Sequence, residues 1–155
     1  MRQKLVTDLL TALYYNIIEM EDRIASDERF EDLTSNDMRT LSAIGTAEPK
    51  SLKQVGDYLR VRKQTAHVAT NSLIKRGYAY KRSNPNDGRY TWIILTNKGL
   101  AAVNLYRSML RENVIGMTGK MTDDQIDELI KSLAKMNGYM DGQRGEGTAS
   151  SNKKK

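Results

Sequence analysis

Residues 51–96 contain the pattern that most constrains the fold: two short amphipathic segments, a tight connection, and two β-prone runs around a turn. Ser51 can cap the first helix. The second helix is predicted over residues 63–76 and ends at Gly77, because glycine readily adopts the left-handed conformation that ends many helices. Its predicted buried positions are Ala66, Ala69, Thr70 and Leu73. This spacing predicts a helix-turn-helix.

The two β-prone runs span residues 78–82 and 89–95, and the segment between them is rich in turn-forming residues. Because successive side chains of a strand point to opposite faces, Ile93 and Leu95 share one face, which we expect to lie against the core. A hairpin placed directly after the second helix predicts a winged helix-turn-helix.

Amphipathic helices are predicted on both sides of the winged segment. The first carries an apolar stripe from Leu5 to Ile24. Thr34 and Thr122 each begin a capping-box pattern, and Thr96 can cap a long helix after the wing. Long amphipathic helices around a small module need a surface to bury their apolar faces, and a second copy of the chain would supply one.

Positive charge is concentrated in the winged segment, although the net charge of the whole chain is only +6. Residues 50–90 carry ten Lys/Arg against two Asp, for a net +8, whereas residues 1–49 carry five Lys/Arg against ten Asp/Glu, for −5. A cluster of one sign on one module is expected for a polyanionic partner, because each neutralised phosphate releases condensed counterions. A solvated face explains an isolated charge run, but coincidence with a helix-turn-helix favours double-stranded DNA.

The order of these residues resembles the MarR family of dimeric winged-helix transcription regulators. The resemblance rests on Leu59, the helix over 63–77, the wing pattern Asp87-x-Arg89, and the run Leu-Thr-Asn-Lys-Gly at 95–99. It implies an α+β, mainly α fold in which N- and C-terminal dimerisation helices flank the winged helix-turn-helix. It also implies a homodimeric, sequence-specific regulator, most simply a repressor on a pseudo-palindromic operator.

The resemblance divides the chain into four expected segments. They are an N-terminal dimerisation helix and acidic loop (1–32), the winged helix-turn-helix DNA-binding region (33–96), the C-terminal long helices for dimerisation (97–139), and a disordered basic tail (140–155).

The second helix of a helix-turn-helix enters the major groove, where base edges present a distinct pattern for each pair. The candidates for base contact point away from the buried positions: Lys63, Gln64, Thr65, His67, Val68 and Asn71. Gln64 and Asn71 suit adenine, and Val68 suits a thymine methyl group. The family commonly has a Thr-Arg pair where this chain has His67-Val68, which predicts a half-site weighted toward A·T pairs.

The wing and the backbone contacts complete the expected DNA interface. The resemblance sends Arg89 into the minor groove, where narrow A·T tracts concentrate negative potential, and Asp87 would orient its guanidinium. An ordinary ion pair within the hairpin is the simpler alternative. Six further residues are expected to contact phosphates without choosing sequence: Ser51, Lys53, Arg60, Arg62, Lys81 and Arg82.

In the resembling family an effector binds between the dimerisation helices and the winged module and changes the separation of the two reading heads. Here that region would be lined by Tyr14, Tyr15, Ile18, Met38, Leu41 and Met109. The lining favours a hydrophobic or amphipathic ligand, although core packing explains the same residues. Residues 19–45 also resemble the branch that represses fatty-acid synthesis genes, whose co-ligand is an acyl chain on its carrier protein.

Other functions are disfavoured. The sequence has no nucleophile elbow, P-loop, dinucleotide fingerprint or metal-ligand pair, so neither an enzyme nor a cofactor is expected. With one histidine and no cysteine, metal binding is disfavoured and a reducing cytoplasm is the natural setting. Polar residues interrupt the first apolar stretch, so no membrane span is expected. A winged helix used only for protein contact, as an accessory subunit, is the alternative, and the polar second helix disfavours it.

Overall fold

The computed structural model describes residues 1–151, without the side chains of Arg89, Tyr90 and residues 143–151. In chain order its elements are α1 (Arg2–Ala25), a short 3-10 helix (Glu28–Phe30), α2 (Ser35–Ile44), β1 (Lys50–Ser51), α3 (Leu52–Leu59), α4 (Lys63–Lys75), β2 (Ala79–Asn84), β3 (Asp87–Leu95), α5 (Asn97–Thr118) and α6 (Asp123–Ser151). The chain forms two compact units, Met1–Glu112 and Asn113–Lys155. The first contains the winged helix-turn-helix, so the predicted mainly helical fold with a small sheet is confirmed.

The wing belongs to a three-stranded antiparallel sheet with the strand order β1-β3-β2. Strands β2 and β3 form the predicted hairpin, in which Ala79 pairs with Leu95 and Asn84 with Asp87. Strand β1 was not predicted; it is two residues long and pairs Lys50 with Ile93. A strand this short has no alternating pattern to detect.

The core of the first unit lies between α2, α4, the sheet and α5. Met38 and Leu41 from α2, Leu73 from α4 and Val103 from α5 are fully buried, and Ile93 retains only 2% exposure. Ile93 and Leu95 therefore face the core as predicted. On α4 the structure buries Ala66, Thr70 and Leu73 completely but leaves Ala69 half-buried.

Local capping signals fix the helix ends. The Thr34 hydroxyl accepts from the Asp37 backbone N–H while the Asp37 carboxylate accepts from the Thr34 N–H, which is the predicted capping box of α2. Thr122 forms the same arrangement before α6. Gly77 follows α4 with a φ of +80°, where a side chain would be strained.

Helix α1 leaves most of its apolar stripe in solvent. Only Met20 and Ile24, near its end, are buried in the core. The apolar and aromatic residues that remain exposed are Leu5, Val6, Leu9, Leu10, Leu13, Tyr14, Tyr15 and Ile17. Within the second unit, Ile130, Leu133 and Met140 of α6 are exposed as well. Both units therefore present apolar faces that nothing within this single chain's described residues covers.

The last helix extends further than the sequence indicated. Helix α6 continues to Ser151, past Met140, where the sequence analysis placed the start of a disordered tail. Extending an existing helix adds one hydrogen bond for each residue that is fixed, so a helix can run on without a core-facing stripe. The Lys153–Lys155 part of the expected basic tail lies outside the described residues. No helix in the described part of the chain is long and apolar enough to cross a membrane.

Candidate nucleic-acid interface

Helix α4 presents a polar surface opposite its buried side. Lys63, Gln64, Thr65, His67 and Val68 are exposed, as expected for the predicted base-reading positions, and Asn71 is half-buried. Val68 is 66% exposed, so an apolar group stands in solvent among polar neighbours. Such a group fits the predicted contact with a thymine methyl.

Close packing of α3 on α4 holds this surface in place. A Cβ atom at Gly56 would lie 3.3 Å from the Val61 carbonyl oxygen and 3.4 Å from the Ala66 Cβ, so a larger residue would push the helices apart. Arg60 closes α3 in the left-handed conformation with a φ of +60°. The three-residue link therefore makes a sharp turn that brings α4 across α3.

A basic cavity of about 430 Å³ opens between α3, α4 and the wing. Its lining consists of Ser51, Leu52, Lys53, Lys63, His67, Lys81, Thr91 and Ile93. The structure thus brings together five of the predicted DNA-contacting residues. Ser51 also accepts a hydrogen bond from the Gln54 N–H at 3.2 Å as the cap of α3, and Lys53 donates to Asp57 at 2.7 Å.

The other predicted phosphate contacts lie elsewhere on the surface. Arg62 is exposed at the N-cap of α4, and Arg60 is exposed two residues earlier, at the C-cap of α3. Arg82 lines a different cavity, with Glu48, Pro49 and Tyr80, because neighbouring residues of β2 point to opposite faces of the sheet. Sequence alone grouped Arg82 with Lys81, and the strand separates them.

The predicted wing contact involves Arg89 and Asp87, and only Asp87 has a described side chain. The side chain of Arg89 lies outside the described residues, whereas the backbone places it in β3, two residues after Asp87. Asp87 is half-buried and pairs with Asn84 across the hairpin. The orientation of Arg89 by Asp87 therefore stays a prediction.

Asn71 already has two partners in the free protein. Lys81 Nζ donates to the Asn71 Oδ1 at 2.9 Å, and the Asn71 Nδ2 lies 2.9 Å from the His67 Nε2. By residue type Asn71 suits a contact with adenine. In the structure both ends of its amide are engaged within the protein, because β2 lies close enough for Lys81 to reach it.

An ion-pair network that the sequence did not indicate joins α4 to the start of α2. The Arg76 Nη2 donates to the Asp37 Oδ1 at 2.7 Å, and its Nη1 donates to the Asp32 Oδ2 at 3.3 Å. The Tyr78 hydroxyl donates to the other oxygen of Asp32 at 3.1 Å, and the Lys98 ammonium lies 4.3 Å from the centre of the Tyr78 ring. Only the capping role of Asp37 was visible as a local pattern, because Arg76 lies 39 residues away.

Charge and burial act against each other in this network. Burial alone would raise the pKa of Asp37, but hydrogen bonds from Arg76 and Thr34 outweigh it and lower the pKa below its ordinary value of 3.8. The pKa of Arg76 is raised, chiefly by its hydrogen bond to Asp37. Both groups therefore stay charged near neutral pH, and the end of α4 is joined to α2 by a charge-assisted hydrogen bond.

A second cavity, of about 380 Å³, lies within the first unit beside α1, α2, α3 and α5. It is lined by Glu21, Arg39, Ser42, Tyr58, Leu59, Tyr106, Arg107 and Leu110. Glu21 accepts from Arg39 at 2.9 Å and from the Tyr106 hydroxyl at 3.1 Å. Burial and the nearby Glu21 carboxylate raise the pKa of Tyr106. The buried Ser42 Oγ has no hydrogen-bond partner among the described residues.

None of the six residues predicted for an effector pocket lines this cavity. Met38 and Leu41 are fully buried in the core, Ile18 and Met109 are half-buried, and Tyr14 and Tyr15 are 60% and 64% exposed on α1. The predicted effector pocket therefore stays a prediction, and periodicity alone does not determine which turns of separate helices face each other.

These features define a class of protein. The crossing of α3 and α4, the adjoining wing and the basic cavity between them are those of a winged helix-turn-helix protein. Residues 31–89 match the model of the MarR family. The matched segment runs from just before α2 into β3, so the winged part of the chain is similar to the MarR family.

Solved structures share the fold over nearly the whole chain. Streptococcus pneumoniae FabT in complex with DNA is 23% identical, with a TM-score of 0.84 over 91% of this chain and 99% of that one. A MarR transcriptional regulator from Methanosarcina mazei Go1 is 19% identical, with a TM-score of 0.73 over 91% and 98%. Bordetella bronchiseptica BpsR is 20% identical, with a TM-score of 0.68 over 86% and 98%. No curated protein matches the sequence.

Proposed function

We propose that the chain is a homodimeric repressor that binds a pseudo-palindromic operator, and that a small ligand changes its affinity for that operator. The observation that carries this proposal is the pairing of a polar, basic reading surface on α4 with uncovered apolar faces on the terminal helices. Two α4 helices can be held at a fixed separation on DNA only if two copies of the chain associate. The exposed apolar faces would form the interface between them. The cytoplasmic location expected from the sequence belongs to this proposal.

The exposed face of α4 would read bases in the major groove. Gln64, Thr65 and Val68 lie on it, and Lys53, Lys63 and Lys81 at its edge would neutralise phosphates. Arg89 would reach the minor groove from the wing, as in the resembling family. Two copies related by a two-fold axis would place their α4 helices in successive turns of the groove, so half-sites should lie about one helical turn apart.

Selection of bound fragments from random duplex DNA tests the reading surface. At 150 mM salt we expect one enriched pseudo-palindrome. Gln64→Ala should lose about 1–3 kcal/mol of discrimination at one symmetric pair of positions, that is, roughly 5- to 150-fold. Lys131→Ala, on the exposed part of α6, is the matched control and should keep the wild-type preference. Equal binding of the wild type to every duplex would refute the proposal.

The dimer interface can be tested separately from DNA binding. Leu9 is 61% exposed in the single chain, and burial of a leucine against a partner stabilises by about 1.5–3 kcal/mol. Leu9→Glu places a charge in that interface and should shift the protein to monomer in sedimentation equilibrium. Thr11→Glu adds the same charge about half a turn round α1 and should leave the dimer intact. A wild type that is monomeric at micromolar concentration would contradict the proposal.

The cavity beside Arg39 and Arg107 is the best candidate for the effector. Leu59, Leu110 and Tyr58 supply apolar surface. Arg39 is paired with Glu21, so Arg107 leaves the lining with an excess of positive charge, and a ligand with an apolar body and an acidic group would fit. The acyl chain expected from the resemblance would supply the apolar body. Regulation of DNA binding by an organic acid, 6-hydroxynicotinic acid, is recorded for the structurally similar BpsR.

Thermal unfolding in the presence of palmitate and of 6-hydroxynicotinic acid tests the ligand class. A ligand that occupies the cavity should raise the melting temperature of the wild type and change its operator affinity. Arg107→Gln should weaken both effects, whereas Arg111→Gln, exposed one turn further along α5, should not. If neither acid alters melting or operator affinity, the proposed ligand class is wrong.

A further inference from the structure

We propose that Lys81 and Asn71 fix the proton of the neutral His67 ring on Nδ1, so that His67 meets the operator as a hydrogen-bond donor. In this proposal Asn71 is a positioning residue, and His67 determines specificity at one base position. The inference rests on the proposed major-groove role of α4. The contacts that carry it are those from Lys81 Nζ to the Asn71 Oδ1 and from the Asn71 Nδ2 to His67 Nε2, both 2.9 Å.

The ammonium group of Lys81 determines which way the Asn71 amide faces. A lysine ammonium has only donors, so the group turned toward it must be the amide oxygen. The amide NH₂ group is then directed at His67, because an amide carries its acceptor and its donors on opposite sides. The reverse orientation would set the NH₂ group against the Lys81 ammonium and leave two sets of donors facing each other.

The amide in turn determines the form of the imidazole. An NH₂ donor at 2.9 Å from Nε2 requires that Nε2 accept, and a neutral imidazole that accepts at one nitrogen carries its proton on the other. The Nδ1 lies 3.5 Å from the same amide nitrogen, at the limit of hydrogen bonding, so the shorter contact decides. The proton therefore resides on Nδ1, which is left for an external partner.

The helix and the wing strand both contribute to this arrangement. His67 and Asn71 are four residues apart on α4 and so lie on the same face. Lys81 comes from β2, and together with His67 it lines the basic cavity on the reading side of the molecule. A displacement of the wing relative to α4 would break the contact and free the amide. The form of His67 thus depends on how the wing packs against the recognition helix.

A fixed donor has a defined base preference. Guanine N7 and O6, adenine N7 and thymine O4 are acceptors in the major groove, whereas cytosine presents an amino donor. We therefore expect the position read by His67 to exclude cytosine on the contacted strand and to accept guanine. This differs from the A·T-weighted half-site predicted from sequence, in which Asn71 was free to bind adenine.

Nuclear magnetic resonance of the free protein tests the arrangement directly, because His67 is the only histidine of the chain. Long-range proton–nitrogen correlations at pH 8 on the full-length ¹⁵N-labelled protein report which ring nitrogen carries the proton. We expect Nδ1. Asn71→Asp keeps the size and the Lys81 contact but offers only acceptors to the ring, so the proton should move to Nε2. Lys81→Met should give a mixture of the two forms, and Lys81→Arg should restore the wild-type form.

Selection from random duplex DNA tests the consequence for specificity. Within the sequences selected by Asn71→Asp, the exclusion of cytosine at one symmetric position should weaken by about tenfold relative to the wild type, with other positions unchanged. Ser72→Asp adds the same charge on the next residue without a His67 contact, and it should keep the exclusion.

The outcomes separate this inference from the proposed function. If the wild type carries its ring proton on Nε2, or if the wild type and Asn71→Asp carry it on the same nitrogen, the proposed Lys81–Asn71–His67 arrangement is wrong, regardless of the result of the DNA selection. A switched proton with unchanged base preference overturns the specificity role of His67. A wild type that selects no sequence at all refutes the repressor itself, and the ring-proton result on the free protein still stands.

Discussion

Replacing Arg76 with methionine should remove the strongest long-range polar link between the recognition helix and α2. The Arg76 and Asp37 side chains are 25% and 12% exposed, and their charged atoms are 2.7 Å apart. Methionine preserves most of the volume but leaves the Asp37 Oδ1 without its guanidinium partner. The Asp37 Oδ2 keeps its bonds from the Thr34 backbone and hydroxyl, both 2.9 Å, so capping of α2 should survive.

The expected cost lies between two measured extremes. Removing one partner of a buried ion pair costs about 3–5 kcal/mol, and an exposed pair is worth about 0–1 kcal/mol. Because Arg76 keeps a quarter of its side-chain surface in water, we expect a loss of about 2–3 kcal/mol. Urea unfolding at one fixed protein concentration measures it, since the stability of a dimer depends on concentration.

An exposed ion pair in the same unit supplies the matched control. Lys53 and Asp57 are also 2.7 Å apart, but their side chains are 78% and 63% exposed. Lys53→Met should therefore lose less than about 1 kcal/mol. If Arg76→Met lowers the free energy of unfolding no more than Lys53→Met does, with the same m-value in urea, then burial does not strengthen the Arg76–Asp37 contact.

The pH dependence provides an independent check. The pKa of Asp37 is lowered in the folded state, so its ion pair adds stability above the ordinary value of 3.8, and this contribution is lost as the pH falls through the lower folded pKa. The difference in stability between the wild type and Arg76→Met should be constant near neutral pH and should shrink below about pH 3.8. A difference that grows on acidification would contradict the assignment.

Three further predictions follow from packing and from the wing. Gly99→Ala should lower the free energy of unfolding by about 1–3 kcal/mol, because the added Cβ would overlap the Tyr78 carbonyl oxygen. Gly116 has open space around it, so Gly116→Ala should be neutral or stabilising by up to about 1 kcal/mol. Thermal unfolding measures both. Thr70→Val should stabilise by about 1 kcal/mol, because the fully buried Thr70 hydroxyl has no partner in the described structure; a loss in urea unfolding would mean that a partner exists. Arg89→Ala should weaken operator binding and reduce preference for flanking A·T pairs in gel-shift titrations while the dimer persists, and equal affinity across flanks would exclude a minor-groove role.

Much of the fold could be predicted because its signals are local. The caps at Thr34, Ser51 and Thr122 act over three residues, and the stop at Gly77 depends on one backbone angle. The polar side of α4 was correctly separated from its buried side by helical periodicity alone. Short-range sterics and hydrogen bonds decide these features, so neighbouring residues contain the necessary information.

Some predicted site residues have surroundings that the sequence could not indicate, because their partners lie far away in the chain. Asn71 appeared free to bind adenine until β2 brought Lys81 to its amide oxygen. Met38 and Leu41 appeared available to a ligand until the core enclosed them. In each case the partner belongs to another element, so neighbouring residues do not reveal it.

By itself the sequence determined that this chain forms a positively charged winged helix-turn-helix between long amphipathic helices, because periodicity, capping and charge are properties of adjacent residues. Only the tertiary structure decided that Arg76 bonds to Asp37, that Asn71 lies between Lys81 and His67, and which turns of α1, α2, α3 and α5 line a cavity. The reason is geometric. A hydrogen bond needs two groups within about 3 Å, and segments distant in sequence reach that separation only after the core has packed.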